Sequence, residues 1–507
     1  MSNITGDEEA GTRKADGGSN VFLQSGLSLR LLAGDTLFYG AVAGLSRVST
    51  LILIPFFTRA LAVSEFGILD TLWTMTNVGL LLGNAGVDLA MTYYFHHVPR
   101  EEHRTYLTTG LCLRAGFGIL VACVGLGTSA IVSGLVFNSQ KFGTWTALSY
   151  LVVPFTLVVT YSLDLLRNEH RRRWFLVLSL VRVVLLLSGT WWLVAERPGD
   201  LVGAFLLLRA LPEALTAAVL LFLLRDRWGP RWFNRTAARR LLSYGLPLVP
   251  ATLLLWLLGF VDRWFLYHWG MTDAAGVYAL AVKVGMLLTI FAAAVQMAFN
   301  PFSLAVRDHG DAASFYARSF SLTMLVALAL VLILGANMDW LVGVAGGDRY
   351  GEAVMPASIL LVGNLAMVAA VFFATGANVE RKTGAYFYAT GSALVITVTA
   401  CGVMIPVWGP TGAAIAVASG NMVLAAVMLG LAGRARPIPY RLLPVLTAAL
   451  LCAGITISMS AGNGVGGGSP VVKNGIAVAG ILIMATCILT ADEKARVVQR
   501  LGLSRKR

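Results

Sequence analysis

Charged side chains inside long apolar stretches are the groups of this sequence best placed to do chemistry. Each costs roughly 2.5–3.5 kcal/mol at the centre of a membrane helix, so it is expected to face protein or a water-filled cavity. Such a position favours a functional role, with pairing or snorkelling to the membrane surface as the structural alternative. The positions are Asp35, Arg47, Asp70, Asp88, Arg114, Asp164, Arg182, Arg209, Glu213, Asp262, Arg263 and Lys283.

Helical spacing predicts which of these charges lack a partner. Arg47 has no acidic residue three or four positions away, and the same is true of Lys283. Asp262 and Arg263 are adjacent, so they would point about 100° apart on a helix and are not expected to neutralise each other. Asp262 could instead meet Lys283 across a pair of helices.

The remaining acidic residues have simpler interpretations. Glu213 follows Arg209 by four positions and could pair with it. Asp35, Asp70 and Asp164 lie near predicted span ends, where they could snorkel. Together, the bases Arg47, Arg114, Arg263 and Lys283 predict a cationic interior, which suits an anionic substrate such as a phosphate or diphosphate.

Other chemistries are not indicated by the sequence. It contains no Walker-type lysine loop, no zinc-ligand spacing and no Gly-x-Ser-x-Gly motif, so we expect neither an enzyme nor a metal or other cofactor. The cysteines all lie in apolar stretches without paired spacing and are interpreted as small hydrophobic residues. They are Cys112, Cys123, Cys401, Cys452 and Cys487.

The elements that must position these charges are membrane helices. Hydrophobic residues make up 57% of the chain and charged residues only 13%, with a mean hydropathy of +0.74. Apolar stretches of about 20 residues recur almost end to end, which predicts an all-α polytopic membrane protein of about fourteen transmembrane helices. The predicted spans are 31–56, 68–95, 106–136, 145–166, 174–195, 201–224, 241–268, 275–300, 315–343, 353–376, 384–406, 411–432, 441–460 and 472–490.

Basic residues predict the orientation. Lys and Arg concentrate in alternate loops and in both tails, and the opposite loops hold only Arg59, Lys141, Arg197, Arg349 and Lys473. The positive-inside rule therefore places both termini in the cytoplasm and requires an even number of spans. The same alternation accounts for the formal net charge of +13 without a nucleic-acid partner.

The chain also repeats itself at one offset. Short motifs that enter or leave equivalent spans recur about 209 positions later, which predicts two parallel six-helix lobes related by an axis along the membrane normal. The matches are Ser64-Glu65-Phe66-Gly67-Ile68 with Asp273-Ala274-Ala275-Gly276-Val277, Glu169-His170-Arg171 with Glu380-Arg381-Lys382, and Leu201-Val202-Gly203-Ala204 with Pro410-Thr411-Gly412-Ala413.

We divide the chain accordingly. The predicted units are a disordered cytoplasmic tail (1–28), an N-lobe (29–224), a basic cytoplasmic linker (225–240), a C-lobe (241–432), a C-terminal helical pair (433–490) and a basic cytoplasmic tail (491–507). The linker fixes topology or binds lipid. Two parallel bundles joined by one linker are typical of a transporter, because a cavity between them can open to either side.

Motifs in order along residues 30–435 resemble those of the Wzx-type polysaccharide flippases of the multidrug/oligosaccharidyl-lipid/polysaccharide exporter superfamily. They are Thr58-Arg59-Ala60-Leu61, Ser64-Glu65-Phe66-Gly67, Asn84-Ala85-Gly86-Val87-Asp88-Leu89-Ala90, Gly245-Leu246-Pro247-Leu248-Val249-Pro250, Phe260-Val261-Asp262-Arg263-Trp264-Phe265-Leu266, Gly276-Val277-Tyr278-Ala279-Leu280-Ala281-Val282-Lys283, Pro301 and Gly409-Pro410-Thr411-Gly412-Ala413-Ala414.

The resemblance implies a V-shaped pair of lobes around a cationic cavity. It implies translocation of an undecaprenyl-diphosphate-linked oligosaccharide across the bacterial cytoplasmic membrane, as for O-antigen and related polysaccharides, with membrane lipids and a glycan polymerase as further partners. Motif positions imply substrate or coupling roles for Arg47, Arg59, Asp88, Asp262, Arg263 and Lys283. The coupling or ion-pair candidates are Asp88, Glu213 and Asp262. Among the substrate-binding candidates, Arg114 rests on the charge argument alone.

Three alternatives stay open at this point. A lipid II flippase would share the same chemistry with another glycan. A cation-coupled drug exporter of the same fold would favour acidic lobes, opposite to the charges of this sequence. A non-transporting scaffold in a glycan-assembly complex is the third.

Overall fold

A computed structural model describes residues 51–99, 101–169, 171–229, 232–307, 310–380, 384–461 and 469–489. These residues form helices, turns and short connections, and the described ranges contain no β-strand. Most of the predicted first span, with Asp35 and Arg47, lies outside the described residues, as do the tails 1–28 and 491–507.

Eight α-helices make up the described part of the N-lobe. They are α1 (Leu51–Ala60), α2 (Val63–Asn84), α3 (Val87–His97), α4 (His103–Phe137), α5 (Gly143–Tyr150), α6 (Val152–Asn168), α7 (Arg172–Glu196) and α8 (Leu201–Leu223). A short 3₁₀ turn, Arg225–Arg227, follows α8.

The C-lobe and the C-terminal pair comprise the remaining helices. They are α9 (Arg235–Gly245), α10 (Val249–Leu258), α11 (Val261–His268), α12 (Thr272–Gly285), α13 (Leu287–Ala305), α14 (Ala312–Ala336), α15 (Met338–Gly346), α16 (Val354–Gly363), α17 (Leu365–Phe373), α18 (Thr375–Val379), α19 (Gly384–Ala435), α20 (Leu442–Ser460) and α21 (Pro470–Ile488).

Most of these helices are long and apolar enough to cross a membrane. Within the described ranges, ten single helical segments meet that test, and α9 with α10 forms an eleventh that is bent by 47°. The 52-residue α19 contains two spans, because Gly409 turns the chain between them at φ 52° and Pro410 follows. A positive φ of this kind favours glycine, which has no Cβ to clash with the backbone.

Helix breaks occur at matching places in the two lobes. The second span of each lobe is broken, at Ala85–Gly86 between α2 and α3 and at Met286 between α12 and α13. The fourth is broken too, at Leu151 between α5 and α6 and at Asn364 between α16 and α17. The Asn364 amide donates to the carbonyl of Gly285 at 3.0 Å, so the side chain satisfies one carbonyl that a break exposes.

The last part of the predicted linker is helical and packs against the N-lobe. Asn234 caps α9 by accepting from the backbone N–H of Thr236 and Ala237, and α9 then packs against α3 and α4. The Arg240 guanidinium donates to the Tyr106 hydroxyl at 2.9 Å. Since α9 runs through the predicted boundary at residue 240, the end of the linker and the start of the C-lobe form one amphipathic helix.

The C-terminal pair packs on the C-lobe. Helices α20 and α21 contact each other and both contact α14, while α20 also contacts α16. At the end of α21 that is predicted to be external, Lys473 pairs with Asp339, and the Asn337 amide donates to Asn474 at 2.9 Å. These polar contacts attach α21 to the α14–α15 junction.

Candidate functional site

The two lobes meet tightly where α2 crosses α12. Gly67 and Gly276, which the repeat makes equivalent, face each other: a Cβ on Gly67 would lie 2.6 Å from the backbone nitrogen of Gly276. No larger residue fits without moving one helix. By the predicted topology this crossing lies at the external end, so the V expected from the sequence is closed there.

Side chains extend the same external contact. The Thr58 hydroxyl donates to the carbonyl of Ala345 at 2.6 Å, and Arg349 donates back to the carbonyl of Thr58 at 2.8 Å. Trp264 donates to the carbonyl of Leu135 at 2.9 Å. Arg59 is exposed and donates to the carbonyl of Val344 at 3.3 Å, so it belongs to this external contact and not to a cavity.

Beneath the crossing lies a charge cluster that bridges the lobes, formed by Asp70, Asp262, Arg263 and Lys283. Asp70 of α2 is completely buried, and its carboxylate contacts Lys283 Nζ at 2.6 Å and Arg263 Nε at 3.1 Å. Arg263 Nη1 also lies 3.3 Å from Asp262 Oδ1, and Tyr278 donates to Asp262 Oδ2 at 2.6 Å. Two acids and two bases thus form a neutral, hydrogen-bonded group.

This cluster corrects three sequence predictions. Asp70 does not snorkel: α2 starts at Val63, two turns earlier, and the carboxylate points inward to the other lobe. Asp262 and Arg263 do pair, because the long arginine side chain bends back to its neighbour's carboxylate. Lys283 does not lack a partner and does not meet Asp262; its ion-pair partner is Asp70, 213 positions away in sequence.

A cavity of about 330 Å³ opens beside the cluster, between α1, α2, α7, α8 and α12. Its charged lining residues are Arg182, Arg209, Glu213 and Lys283. Arg182 of the neighbouring α7 pairs with Glu213, whereas Arg209 lies over the Trp73 ring at 5.6 Å. The expected Arg209–Glu213 pairing is therefore wrong, because a residue on the adjacent helix reaches the carboxylate.

A second cavity of about 380 Å³ lies nearer the predicted cytoplasmic side, where α10 approaches the N-lobe. Arg114 lines it, with only 4% of its side chain exposed, and its Nε and Nη1 atoms have no hydrogen-bond partner among the residues that the structure describes. The nearest carboxylate oxygen, on Asp88, is 4.0 Å from Nη2, and the guanidinium lies 5.2 Å over the Tyr161 ring. Asp88 accepts instead from Asn84 at 2.7 Å, and Asp164 pairs with Arg167 at 3.1 Å.

The lobes also touch beside this second cavity. A Cβ on Gly245, at the end of α9, would lie 2.6 Å from the carbonyl oxygen of Ala85. The Tyr93 and Tyr244 rings stack with centroids 5.2 Å apart. The described residues therefore bring the lobes into contact both at the external crossing and beside the second cavity.

The predicted candidates fall into distinct groups. Lys283 reaches the first cavity and Arg263 lies behind it, while Arg114 and Asp88 line the second. Arg59 lies outside both, and Arg47 is outside the described residues.

Trp73 and Asn77 reach the first cavity from α2 and were not among the predicted candidates. A polar Asn one turn from an aromatic residue in a membrane span was the available signal in the sequence.

Comparisons with known proteins place this geometry in context. A family model described as polysaccharide biosynthesis protein matches residues 56–355. Protein 1 of the Lsg locus of Haemophilus influenzae is 23% identical over 313 residues, which cover 59% of this chain and 73% of that protein.

Solved structures share the fold. The lipid II flippase MurJ, in an inward closed conformation, matches with a TM-score of 0.70 and 13% identity, over 89% of this chain and 98% of MurJ. An inward-facing multidrug resistance MATE transporter of the MOP superfamily matches with 0.59 and 16%, over 79% and 94%. A superfamily transporter from Pyrococcus furiosus, reported with a binding pocket of reversed polarity, matches with 0.52 and 16%, over 79% and 93%. The predicted fold class and family are confirmed.

Proposed function

Since this chain belongs to the polysaccharide biosynthesis protein family, we propose that it is a flippase for a lipid-linked anionic glycan. The substrate is an undecaprenyl-diphosphate-linked oligosaccharide, moved from the cytoplasmic to the outer leaflet of the bacterial cytoplasmic membrane. Both termini are cytoplasmic, and a glycan polymerase receives the product on the outer side.

The charge of the first cavity is the observation that carries the proposal. Arg182, Arg209 and Lys283 line it against one acidic residue, Glu213. Arg182 is paired with Glu213 and Lys283 with Asp70, so Arg209 is the base of this cavity that has no ion-pair partner among the described residues. Lys283 still presents part of its ammonium group to the space. Guanidinium and ammonium groups in a partly desolvated site bind phosphate oxygens through charge-assisted hydrogen bonds, so the cavity suits a diphosphate better than a cation.

The two contact regions between the lobes suggest how the substrate moves. The lobes share tight contacts at the external crossing and at Gly245, so opening one contact while the other stays closed exposes the cavities to one side at a time. From the cytoplasm, a diphosphate meets the buried Arg114 first, whose Nε and Nη1 groups have no acceptor among the described residues. It then reaches Arg209 and Lys283 nearer the external end.

The same cavity charge argues against drug export. A carrier for cationic drugs needs carboxylates that face its cavity, and the first cavity offers one that is already paired. A lipid II flippase keeps the diphosphate chemistry and differs only in the glycan, so the nature of the sugar is decided by substrate competition and not by charge.

Flipping in proteoliposomes tests the proposal. We expect purified protein to move a fluorescent undecaprenyl-diphosphate-linked disaccharide between leaflets, and Arg209→Met to slow that movement at least tenfold. Unlabelled lipid-linked oligosaccharide should compete, and an undecaprenyl alcohol without phosphate should not. Transport of a cationic dye with no movement of the diphosphate lipid would reject the flippase in favour of a drug exporter.

A further inference from the structure

We propose that Asp70 occupies the place that an anionic group of the substrate takes during transport, and that this exchange releases the external contact between the lobes. The inference rests on the proposed function only in taking the anion to be a diphosphate. Asp70 thereby gains a role that its predicted place at a span end did not suggest.

Lys283 faces two ways, toward Asp70 and toward the first cavity. Its Nζ lies 2.6 Å from Asp70 Oδ1, yet 17% of its side chain is exposed and it lines the cavity. An ammonium group carries three donors, so Lys283 can bind an anion in the cavity while Asp70 still occupies one donor. Exchange therefore needs no bare buried charge at any stage.

The two bases of the cluster differ in how they are held. Arg263 donates to the carbonyl of Gly259 at 2.9 Å and contacts Asp262, and both partners lie in its own lobe. Among the residues that the structure describes, Asp70 is the only ion-pair partner of Lys283. Loss of Asp70 would thus leave Arg263 partly compensated in the C-lobe and Lys283 without a counter-charge.

Charge balance then couples the anion to the movement. Pulling α2 away from α12 without compensation would leave a buried carboxylate in one lobe and an unpaired buried ammonium in the other, which is strongly unfavourable. An anion that takes over Lys283 removes the second part of this cost. Asp70 can then follow α2 as the external end opens and Asp70 becomes hydrated.

The position of the cluster fits this role. Asp70 follows Gly67 by one turn of α2, and Lys283 follows Gly276 by two turns of α12. The glycines allow the two helices to approach most closely. The Asp70–Lys283 ion pair, one to two turns further along the helices, stabilises that contact. Without substrate, the Asp70–Lys283 pair keeps the external end closed. An anion in the cavity replaces the Asp70 carboxylate and so releases that end.

Distance measurements between spin labels test the exchange. Gly199, in the loop before α8, and Gly351, in the 3₁₀ turn before α16, are exposed and lie in different lobes on the predicted external side. A Cβ added at either position would meet no atom within 4 Å, so cysteines there accept labels. The exposed cysteines are first replaced by serine: Cys112, Cys123 and Cys487. The probe is inorganic pyrophosphate, with sulfate at equal ionic strength as the control anion.

We expect pyrophosphate to lengthen the label distance in the otherwise unchanged protein. Asp70→Asn should show the longer distance without any anion and bind pyrophosphate roughly tenfold more tightly, since no built-in carboxylate competes for Lys283. Asp273→Asn, which removes an exposed carboxylate from the external end of the same α12, is the matched control and should behave like the parent. Lys283→Met should lose the pyrophosphate response, and it tests the exchange even if Asp70→Asn does not fold.

The outcomes separate this inference from the proposed function. If Asp70→Asn and Asp273→Asn behave alike, or if Lys283→Met still responds to pyrophosphate, the exchange is wrong, although glycan flipping could remain. If the parent fails to flip the glycan lipid but responds to pyrophosphate as described, the exchange stands and the proposed function is rejected.

Discussion

Two groups of buried charges, one near each end of the lobe interface, use the same residue types in opposite ways. The external cluster of Asp70, Asp262, Arg263 and Lys283 joins both lobes and pairs every charge within 3.3 Å. The group nearer the predicted cytoplasmic side centres on Arg114, whose nearest carboxylate oxygen is 4.0 Å away. Within the described part of the chain, two nitrogen atoms of Arg114 have no hydrogen-bond partner, and they lie beside a cavity.

The comparison distinguishes charges that stabilise the contact between the lobes from charges that are available to bind a ligand. A fully paired buried cluster is costly to break but gives little to a substrate unless one partner is exchanged. A buried cation with free donors has lost its hydration without recovering an equivalent interaction, which is typical of a binding group. We therefore expect substitutions at the two ends to affect stability and transport in opposite proportions.

The largest expected effect is the loss of stability in Arg263→Ala. This change leaves Asp70 with Lys283 alone and removes the closest cation from Asp262, and breaking a buried pair in this way costs about 3–5 kcal/mol. Thermal unfolding of the purified protein should show a strongly lowered midpoint, together with reduced abundance in membranes. An Arg263→Ala protein as stable as the parent would contradict the tightly paired external cluster.

A second change tests the crossing above that cluster. In Gly276→Ala the added methyl overlaps the backbone of Val63, which cannot give way cheaply, so we expect a loss of about 1–3 kcal/mol and a less firmly closed external end. Gly116→Ala on α4 is the control, because its Cβ would meet no atom within 4 Å. Equal unfolding midpoints for the two variants would show that the lobes do not approach as closely as described.

The smallest expected loss of stability is in Arg114→Met. Removing an underpaired buried charge and keeping an apolar side chain of similar length should change the free energy of unfolding by less than about 1 kcal/mol. Glycan flipping should nevertheless fall severalfold, with partial recovery in Arg114→Lys, because the ammonium keeps the charge but not the planar donor pair. Destabilisation as large as that of Arg263→Ala would remove the contrast between the two ends.

Much of the fold followed from patterns that are local along the chain. Twenty-residue apolar stretches predicted the spans, and the repeat offset also identified Gly67 and Gly276, which turned out to touch. Residues near a shared symmetry axis meet their own equivalents, so a repeat carries contact information of this special kind. Motif order predicted the family for a related reason: each motif is a short, continuous segment.

The pairing of charges could not be predicted in this way. Asp70 and Arg263 are 193 positions apart, and only the packing of α2 against the C-lobe brings them together. Helical spacing predicted that Glu213 pairs with Arg209, but Glu213 pairs with Arg182 on the adjacent α7. Spacing along one helix ranks neighbours on that helix alone, whereas intramembrane charges choose partners from every helix they face.

Passage of the substrate through the first cavity is tested most directly by crosslinking. A photoreactive benzophenone side chain at Asn77, which is exposed and lines that cavity, should crosslink to radiolabelled undecaprenyl-diphosphate disaccharide in membranes. The same group at Leu450, a strongly exposed position on α20, reports contact with bulk lipid. We predict strong labelling at Asn77 that Lys283→Met abolishes, with weak labelling at Leu450 that Lys283→Met leaves unchanged. Equal labelling at both positions, indifferent to Lys283, would contradict a diphosphate path through this cavity.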